Sequence, residues 1–433
     1  TMNQFTGILG ASVLIATAWL LSTHRRRINW RLVGAGIGLQ IVLAWALLSV
    51  GPVRQLFEIL ATIVNRVISF AGEGSRFIFG NLTNGKGDAA SPWGFVFAVQ
   101  VLPVIIFFAS LMGVLYHLGV MQRVVAGVAW VLRRTLGATG VEALSASANI
   151  FLGQTEAPLC IRPYIAGLTR SQIMAIMVGG FASIAGSVLA AYVGILGGDD
   201  DASRIRFAMH LMCASVMSAP AGLVMAKIML PETETPRDES IGSLARDERT
   251  TRNVVDAAAV GASDGLMLAL NVAAMLIAFV ALLAMLNFPL AALSRVERVA
   301  AWRASLGLPE FTLQWILGTL LRPLVWTFGV PWAECGRFGS LLGQQIIATE
   351  FVAYLSLAEM VRQGTMSPRS CQMATYALCG FANLPSIAIQ IGGLSALAPS
   401  RRSDFAAIGP RAMVAGALAC WMTGCIAGLF ITA

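Results

Sequence analysis

Charge is scarce in this chain. Asp, Glu, Lys and Arg make up 12% of its 433 residues, about half the roughly 25% found in ordinary soluble domains. Lysine occurs only as Lys86 and Lys227, so 28 of the 30 basic residues are arginine. The only histidines, His24, His117 and His210, lie far apart and form no ligand motif, and there is no H-E-x-x-H. The seven cysteines (160, 213, 335, 371, 379, 420 and 425) never take a C-x-x-C spacing and mostly fall in apolar stretches. These absences remove the usual zinc-hydrolase and cysteine-metal patterns and leave the cysteines as small buried hydrophobes. No serine or cysteine has an evident histidine partner, which weighs against an intramembrane hydrolase.

What is abundant is apolar. Hydrophobic residues reach 57% and the mean hydropathy is +0.74, the composition of a polytopic membrane protein. The net charge of +8 does not point to nucleic acid, because the arginines cluster at the ends of apolar runs, which the positive-inside rule explains for most of them.

Read in order, Thr6 to Leu21 forms a first span with its N-terminus outside, since its basic flank (His24 to Arg27 and Arg31) follows it. Leu32 to Val50 returns as the second. Val53 to Phe70, interrupted by Arg54, Glu58, Asn65 and Arg66, reads as an amphipathic helix in the interface. Gly80 to Gly87 is a loop. Phe95 to Leu118, containing Pro103, is the third span, and Val120 to Leu136 a second interfacial helix.

Leu144 to Leu152 and Leu159 to Ile165 are each too short to cross about 30 Å of hydrocarbon, and the polar turn G-Q-T-E-A-P lies between them. A re-entrant hairpin fits these lengths. Ile173 to Leu196 is the fourth span, broken near Gly179, Gly180, Ser183, Gly186 and Ser187. The acidic run at Asp199 to Asp201 reads as a solvated loop. Phe207 to Leu230 is the fifth span, and Pro231 to Arg252 a charged soluble linker.

The second half repeats the first. Thr169 to Ser183 can be laid against Pro368 to Asn383, the Glu156 tip against the Glu350 tip, Glu142 against Glu334, and the third span against Gly265 to Leu286. Three crossings separate the two units, so they are inverted and one hairpin enters from each face. With a last span at Ala412 to Ile431, the expected fold is all-α: eight transmembrane helices, two re-entrant hairpins and interfacial helices. Arg295, Arg298 and Arg303 fall on the outer side of that topology, against the charge rule. The organisation expected is scaffold at 1–94, 95–136 and 263–328, transport domain at 137–230 and 329–433, and a charged linker at 231–262.

Polar groups at membrane depth mark binding sites. Here they are Gln154, Thr155 and Glu156 from the first hairpin, Glu350 from the second, and Asn383 and Ser386 at the second break. Carboxylates and amides grip hydroxyls and ring edges through charge-assisted hydrogen bonds, which suits a polar, uncharged, hydroxyl-bearing solute. Phe381 and Val188 supply walls or are ordinary packing residues. Glu142 and Glu334 read as structural carboxylates at the hairpin bases. Hard oxygen ligands for sodium are offered by Asn149, Leu152, Ser183 and Ile184, although Asn149 could equally cap a helix.

G-Q-T-E-A-P-L, E-F-V-A-Y and C-G-F-A-N, in this order and spacing, closely resemble the concentrative nucleoside transporter family from Thr6 to Ile431. The resemblance implies a homotrimer in which each protomer carries nucleosides such as uridine, cytidine or adenosine by an elevator motion. It places Gln154, Thr155, Glu156 and Val188 against the base, and Glu350, Asn383 and Ser386 against the ribose with Phe381 nearby. Asn149, Leu152, Ser183 and Ile184 match the family's sodium ligands, and Asn149 favours sodium over the proton-coupled alternative. Two positions depart from the family pattern: Thr349 replaces the usual Asn and Pro385 the usual Ser. The expectation is therefore a sodium-coupled nucleoside symporter, not an enzyme, in a bacterial inner membrane with both termini periplasmic.

Overall fold

A computed structural model of the chain describes residues 2–83, 96–198, 200–236 and 251–431. All regular structure among them is helical. The helices are α1 (Met2–Leu20), α2 (Trp30–Ser49), α3 (Gly51–Phe79), α4 (Phe97–Gln100), α5 (Leu102–His117), α6 (Val120–Leu136) and α7 (Gly140–Ala148). After a 3-10 winding at Ala157–Gly167 come α8 (Arg170–Phe181), α9 (Gly186–Gly197), α10 (Asp201–Met229), α11 (Val254–Arg295), α12 (Glu297–Ser305) and α13 (Leu313–Thr327). The chain closes with α14 (Trp332–Ile347), α15 (Glu350–Gln363), α16 (Pro368–Ala377), α17 (Leu384–Leu397) and α18 (Arg402–Ala427).

Among the described residues, seven helical stretches are long and apolar enough to cross a membrane. Six of them are expected spans, and the other is Gly51–Thr83. The expected first span is α1, an apolar helix of 19 residues; the second half of the expected seventh span, Leu384–Leu397, is apolar but short, while the helix expected to lie in the interface qualifies by length. That helix, α3, runs for 29 residues, well past Phe70. It continues because Ala71 and Ser75 pack inward and Ser75 Oγ donates to Val99 O at 2.5 Å. Gly80, at φ +56°, ends it. The expected loop at Gly80 to Gly87 is a 3-10 turn through Thr83, and its remaining residues lie outside the described ones.

Pro103 divides the expected third span into α4 and α5, because its ring removes a helical donor. The expected linker is shorter than 231–262. Asn253 caps α11 through Asp256 N at 2.8 Å, and helix runs from Val254 for 42 residues, about 63 Å. Its early turns are held by α5. Ala257, Gly261, Gly265 and Ala269 recur every fourth residue and are α11's main buried positions. A side chain on Gly261 would come within 2.6 Å of Ala109 O, and one on Gly265 within 2.7 Å of Ala109 Cβ. This is small-residue helix packing, in which the backbones themselves touch. The last helix begins at Arg402, ten residues before the expected Ala412.

The element order repeats as expected: α5, α6, α7 with its 3-10 arm, α8/α9 and α10 correspond to α11, α13, α14/α15, α16/α17 and α18. The helix α12 has no counterpart in the first unit. The core is built on α10 and α18, which are buried along most of their length and pack against each other. Six of the seven cysteines are buried.

Candidate functional site

The site lies where two helix breaks and two hairpin tips come together. The first break, residues 182–185, separates α8 from α9, and the second, residues 378–383, separates α16 from α17. They touch directly: Phe381 N donates to Ser183 O at 3.3 Å. Gly380 is required there, because a Cβ would sit 2.6 Å from Phe181 O and 2.4 Å from Cys420 Sγ. Unwound carbonyls need partners away from water. Gln345 Nε2 donates to Leu378 O and Gly380 O at 3.3 and 3.2 Å, and Cys420 Sγ lies 3.6 Å from Cys379 O and 3.7 Å from Ala182 O.

Two helix N-termini meet at Glu350. Thr349 caps α15 by accepting from Val352 N at 3.3 Å, which leaves Glu350 in the first turn, where the helix dipole favours a carboxylate. Asn383 caps α17 by accepting from Ser386 N at 2.8 Å. Its amide donates to Glu350 Oε2 at 2.7 Å, while Tyr192 OH donates to Glu350 Oε1 at 2.9 Å. Tyr192 is itself stacked on Tyr354 at 4.2 Å and set edge-on to Phe351 at 4.9 Å. The carboxylate thus has one fixed donor on each oxygen, with lone pairs left for a solute's hydroxyls. Both departures from the family pattern fit locally. Thr349 performs the capping that Asn would perform, and Pro385 stands in the first turn of α17, where no amide donor is needed.

At the first tip, Gln154 Nε2 donates to Ser386 Oγ at 3.2 Å and Gln154 Oε1 accepts from Gln390 Nε2 at 3.1 Å. Glu156 turns back on its own loop, accepting from Gly153 N at 3.2 Å. The two carboxylates therefore hold separate partners; the tips are tied to the breaks by Gln154–Ser386, Gln154–Gln390 and Glu350–Asn383, and by Gly186 N donating to Phe151 O at 2.9 Å. Thr155 is exposed, with its methyl against Gly393 of α17. Val188 is buried one turn before Tyr192 on α9, and Phe381 is half-buried within the second break.

Asn149 does close α7, as its C-cap residue. Its Nδ2 donates to Ser145 O at 3.0 Å, but its Oδ1 is buried with no hydrogen-bond partner, as is Ser145 Oγ. Gly179 of α8 lies against the Asn149 amide, where a Cβ would be 3.1 Å from Nδ2. Ser183 Oγ donates to Gly179 O at 2.8 Å, and Ser183 and Ile184 are buried at the break, with Leu152 half-buried in the tip. An orphaned buried amide oxygen beside unwound backbone is chemistry that fits a hard cation.

The hairpin bases are anchored elsewhere. Glu142 forms an ion pair with Lys227, which also donates to Ser171 Oγ at 3.0 Å, and Glu142 Oε2 accepts from Thr139 N at 3.0 Å. Glu334 accepts from Ser367 N and Oγ at 3.1 and 3.0 Å. Both carboxylates are structural in this geometry. Sequence reasoning overlooked Tyr192 and Gln390. Each stands four residues after a residue it did name, Val188 and Ser386, and therefore on the same helix face.

Comparison with known proteins places this arrangement. Three family models match: Na+ dependent nucleoside transporter C-terminus over residues 210–428, its N-terminus over 9–82, and nucleoside recognition over 98–199. An uncharacterized transporter of Haemophilus influenzae is 44% identical, over 99% of this chain and 98% of its own length. The nucleoside permease NupC of Helicobacter pylori is 40% identical, over 99% and 98%. Sodium/nucleoside cotransporter 1 of Rattus norvegicus is 38% identical over 99% of this chain, which spans 64% of that longer protein. Among solved structures, CNTnw in an inward-facing substrate-bound state superimposes with a TM-score of 0.87 at 42% identity, covering 98% of this chain and 97% of that one. A variant of CNTnw in a state called intermediate 1 gives 0.89 at the same identity, covering 99% and 100%. The relatives are transporters and permeases, not enzymes, and the chain belongs to the Na+ dependent, or concentrative, nucleoside transporter family.

Proposed function

We propose that this chain is a sodium-coupled symporter that imports nucleosides such as uridine, cytidine or adenosine. The observation that carries the reading is the convergence of Gln154, Ser386, Asn383 and Glu350 through direct hydrogen bonds at the second helix break. In this reading Gln154, Thr155, Glu156 and Val188 face the base. Glu350, Asn383 and Ser386 hold the ribose hydroxyls beside Phe381. A solute bonds to the lone pairs and N–H groups these side chains leave free while they hold each other in place.

Sodium is the coupling ion in this reading, held by Asn149 with oxygens of Leu152, Ser183 and Ile184. The unpartnered Asn149 Oδ1 supports that assignment. Asn149 ends α7 and Gly179 of α8 lies against it, so an ion there ties the first hairpin to the broken span and orders the site before the solute arrives. The site elements all fall within 137–230 and 329–433, which we assign to the moving transport domain. Residues 1–94, 95–136 and 263–328 form the scaffold. The two hairpins enter a bacterial inner membrane from opposite faces, both termini are periplasmic, lipid surrounds the protein, and a homotrimer is the working assembly. The elevator motion carries each protomer's solute independently.

The test is accumulation of labelled uridine in proteoliposomes carrying an inward sodium gradient. Uphill accumulation with sodium alone is the expected result. Accumulation driven only by a proton gradient overturns the ion assignment, and equilibration without accumulation indicates a channel.

A further inference from the structure

We propose that Gln390 is a positioning residue that determines which group of Gln154 faces the nucleobase, and hence which base edges the site accepts. The inference rests on the nucleoside reading above and concerns a residue outside the set assigned there.

Gln390 lies on α17, one turn after Ser386, and is almost wholly buried. Its Nε2 donates to Met177 O of α8 at 3.1 Å and to Gln154 Oε1 at 3.1 Å. A backbone carbonyl only accepts, so the end of the Gln390 amide that meets it is the amino end. That amino end has its second hydrogen for Gln154, which must therefore present Oε1 to it. Gln154 is then left with Nε2 toward Ser386, as the 3.2 Å contact shows. The orientation of a substrate-facing amide is thus set from behind by a main-chain carbonyl, relayed through one glutamine. Room for the pair is made by Gly180, where a Cβ would come within 2.6 Å of Gln390 Nε2 and 2.9 Å of Gln154 Cβ.

The relay has a consequence for specificity. Gln154 keeps one free N–H and one free lone pair, each at a fixed position. Uracil and cytosine reverse donor and acceptor along the same edge: where one shows a carbonyl, the other shows an amino group. Turning the Gln154 amide over exchanges the group that meets them.

The experiment measures KM and Vmax for uridine and cytidine in proteoliposomes, with Vmax normalised to reconstituted protein. Gln390→Met keeps length but cannot donate, so Gln154 is no longer held in one sense. Both KM values then rise roughly tenfold, the equivalent of one hydrogen bond, while Vmax stays within about twofold. Gln390→Glu spends its one proton on Met177 O and offers Gln154 only an acceptor, which turns Gln154 over and moves the ratio of the two KM values by about fivefold or more. Equal changes in both KM values for Gln390→Glu overturn the proposal, as does a fall in Vmax at unchanged KM for Gln390→Met. Should Gln390→Glu not accumulate in the membrane, the KM-against-Vmax split of Gln390→Met decides. A wild-type protein that transports neither nucleoside sinks the nucleoside reading itself, which is a separate outcome.

Discussion

Glu350 and Asn383 stand at the N-termini of two different helices and are joined by a 2.7 Å hydrogen bond. Asn383 spends its carbonyl oxygen on capping its own helix, through Ser386 N, so only its amino group is available to the carboxylate. The pair closes the second hairpin tip onto the second break, with Tyr192 reaching in from the first unit.

Glu350→Gln places an amide where two donors converge, so one donor loses its acceptor. A charge-assisted hydrogen bond contributes about 1.5–3 kcal/mol, which corresponds to uptake affinity weakened about 10- to 100-fold. Labelled uridine uptake, normalised to membrane-inserted protein, checks this. Near-normal uptake with normal insertion removes Glu350 from the ribose site.

Asn149→Leu deletes the buried, unpartnered Oδ1. Nucleoside binding measured with and without sodium is expected to lose most of its sodium response, because the ion no longer favours the ordered hairpin. An unchanged sodium response transfers the coupling to another site or to protons.

Lys227→Met leaves Glu142 buried without its cation at the base of the first hairpin. Breaking one side of such a pair costs about 3–5 kcal/mol, whereas replacing both partners with apolar residues is often neutral. Thermal melting in detergent is therefore expected to fall for Lys227→Met and to recover in Lys227→Met with Glu142→Leu. Equal melting of both variants rules out the ion pair as the anchor.

Gly265→Leu drives a side chain into Ala109 Cβ and Ile106 Cα, 2.7 and 2.8 Å from the first added atom. Overpacking of this kind costs about 1–3 kcal/mol, and here it separates α5 from α11. A lowered melting temperature is the expected readout, while Gly265→Ala should give a smaller drop at the same contact.

Much of the site was legible because polar residues in a 57% apolar chain are few and repeat in two corresponding places. The breaks were expected near Gly179–Ser187 and at Asn383, and they fall at 182–185 and 378–383. Tyr192 and Gln390 were not legible. A tyrosine or glutamine in an apolar helix carries no mark of its partner, and theirs are 158 and 236 residues away in sequence.

Composition, apolar run lengths and the internal repeat determined by themselves that this is a helical membrane protein with two hairpin tips and two broken helices. These properties depend on local periodicity and on the cost of polar groups in hydrocarbon. The length of α3 and α11, the early start of α18, and which carboxylate meets which donor were decided only by tertiary structure. Past Phe70, α3 continues because Ala71 and Ser75 find neighbours to pack on, and an amide's orientation depends on the last fixed acceptor in its chain of hydrogen bonds.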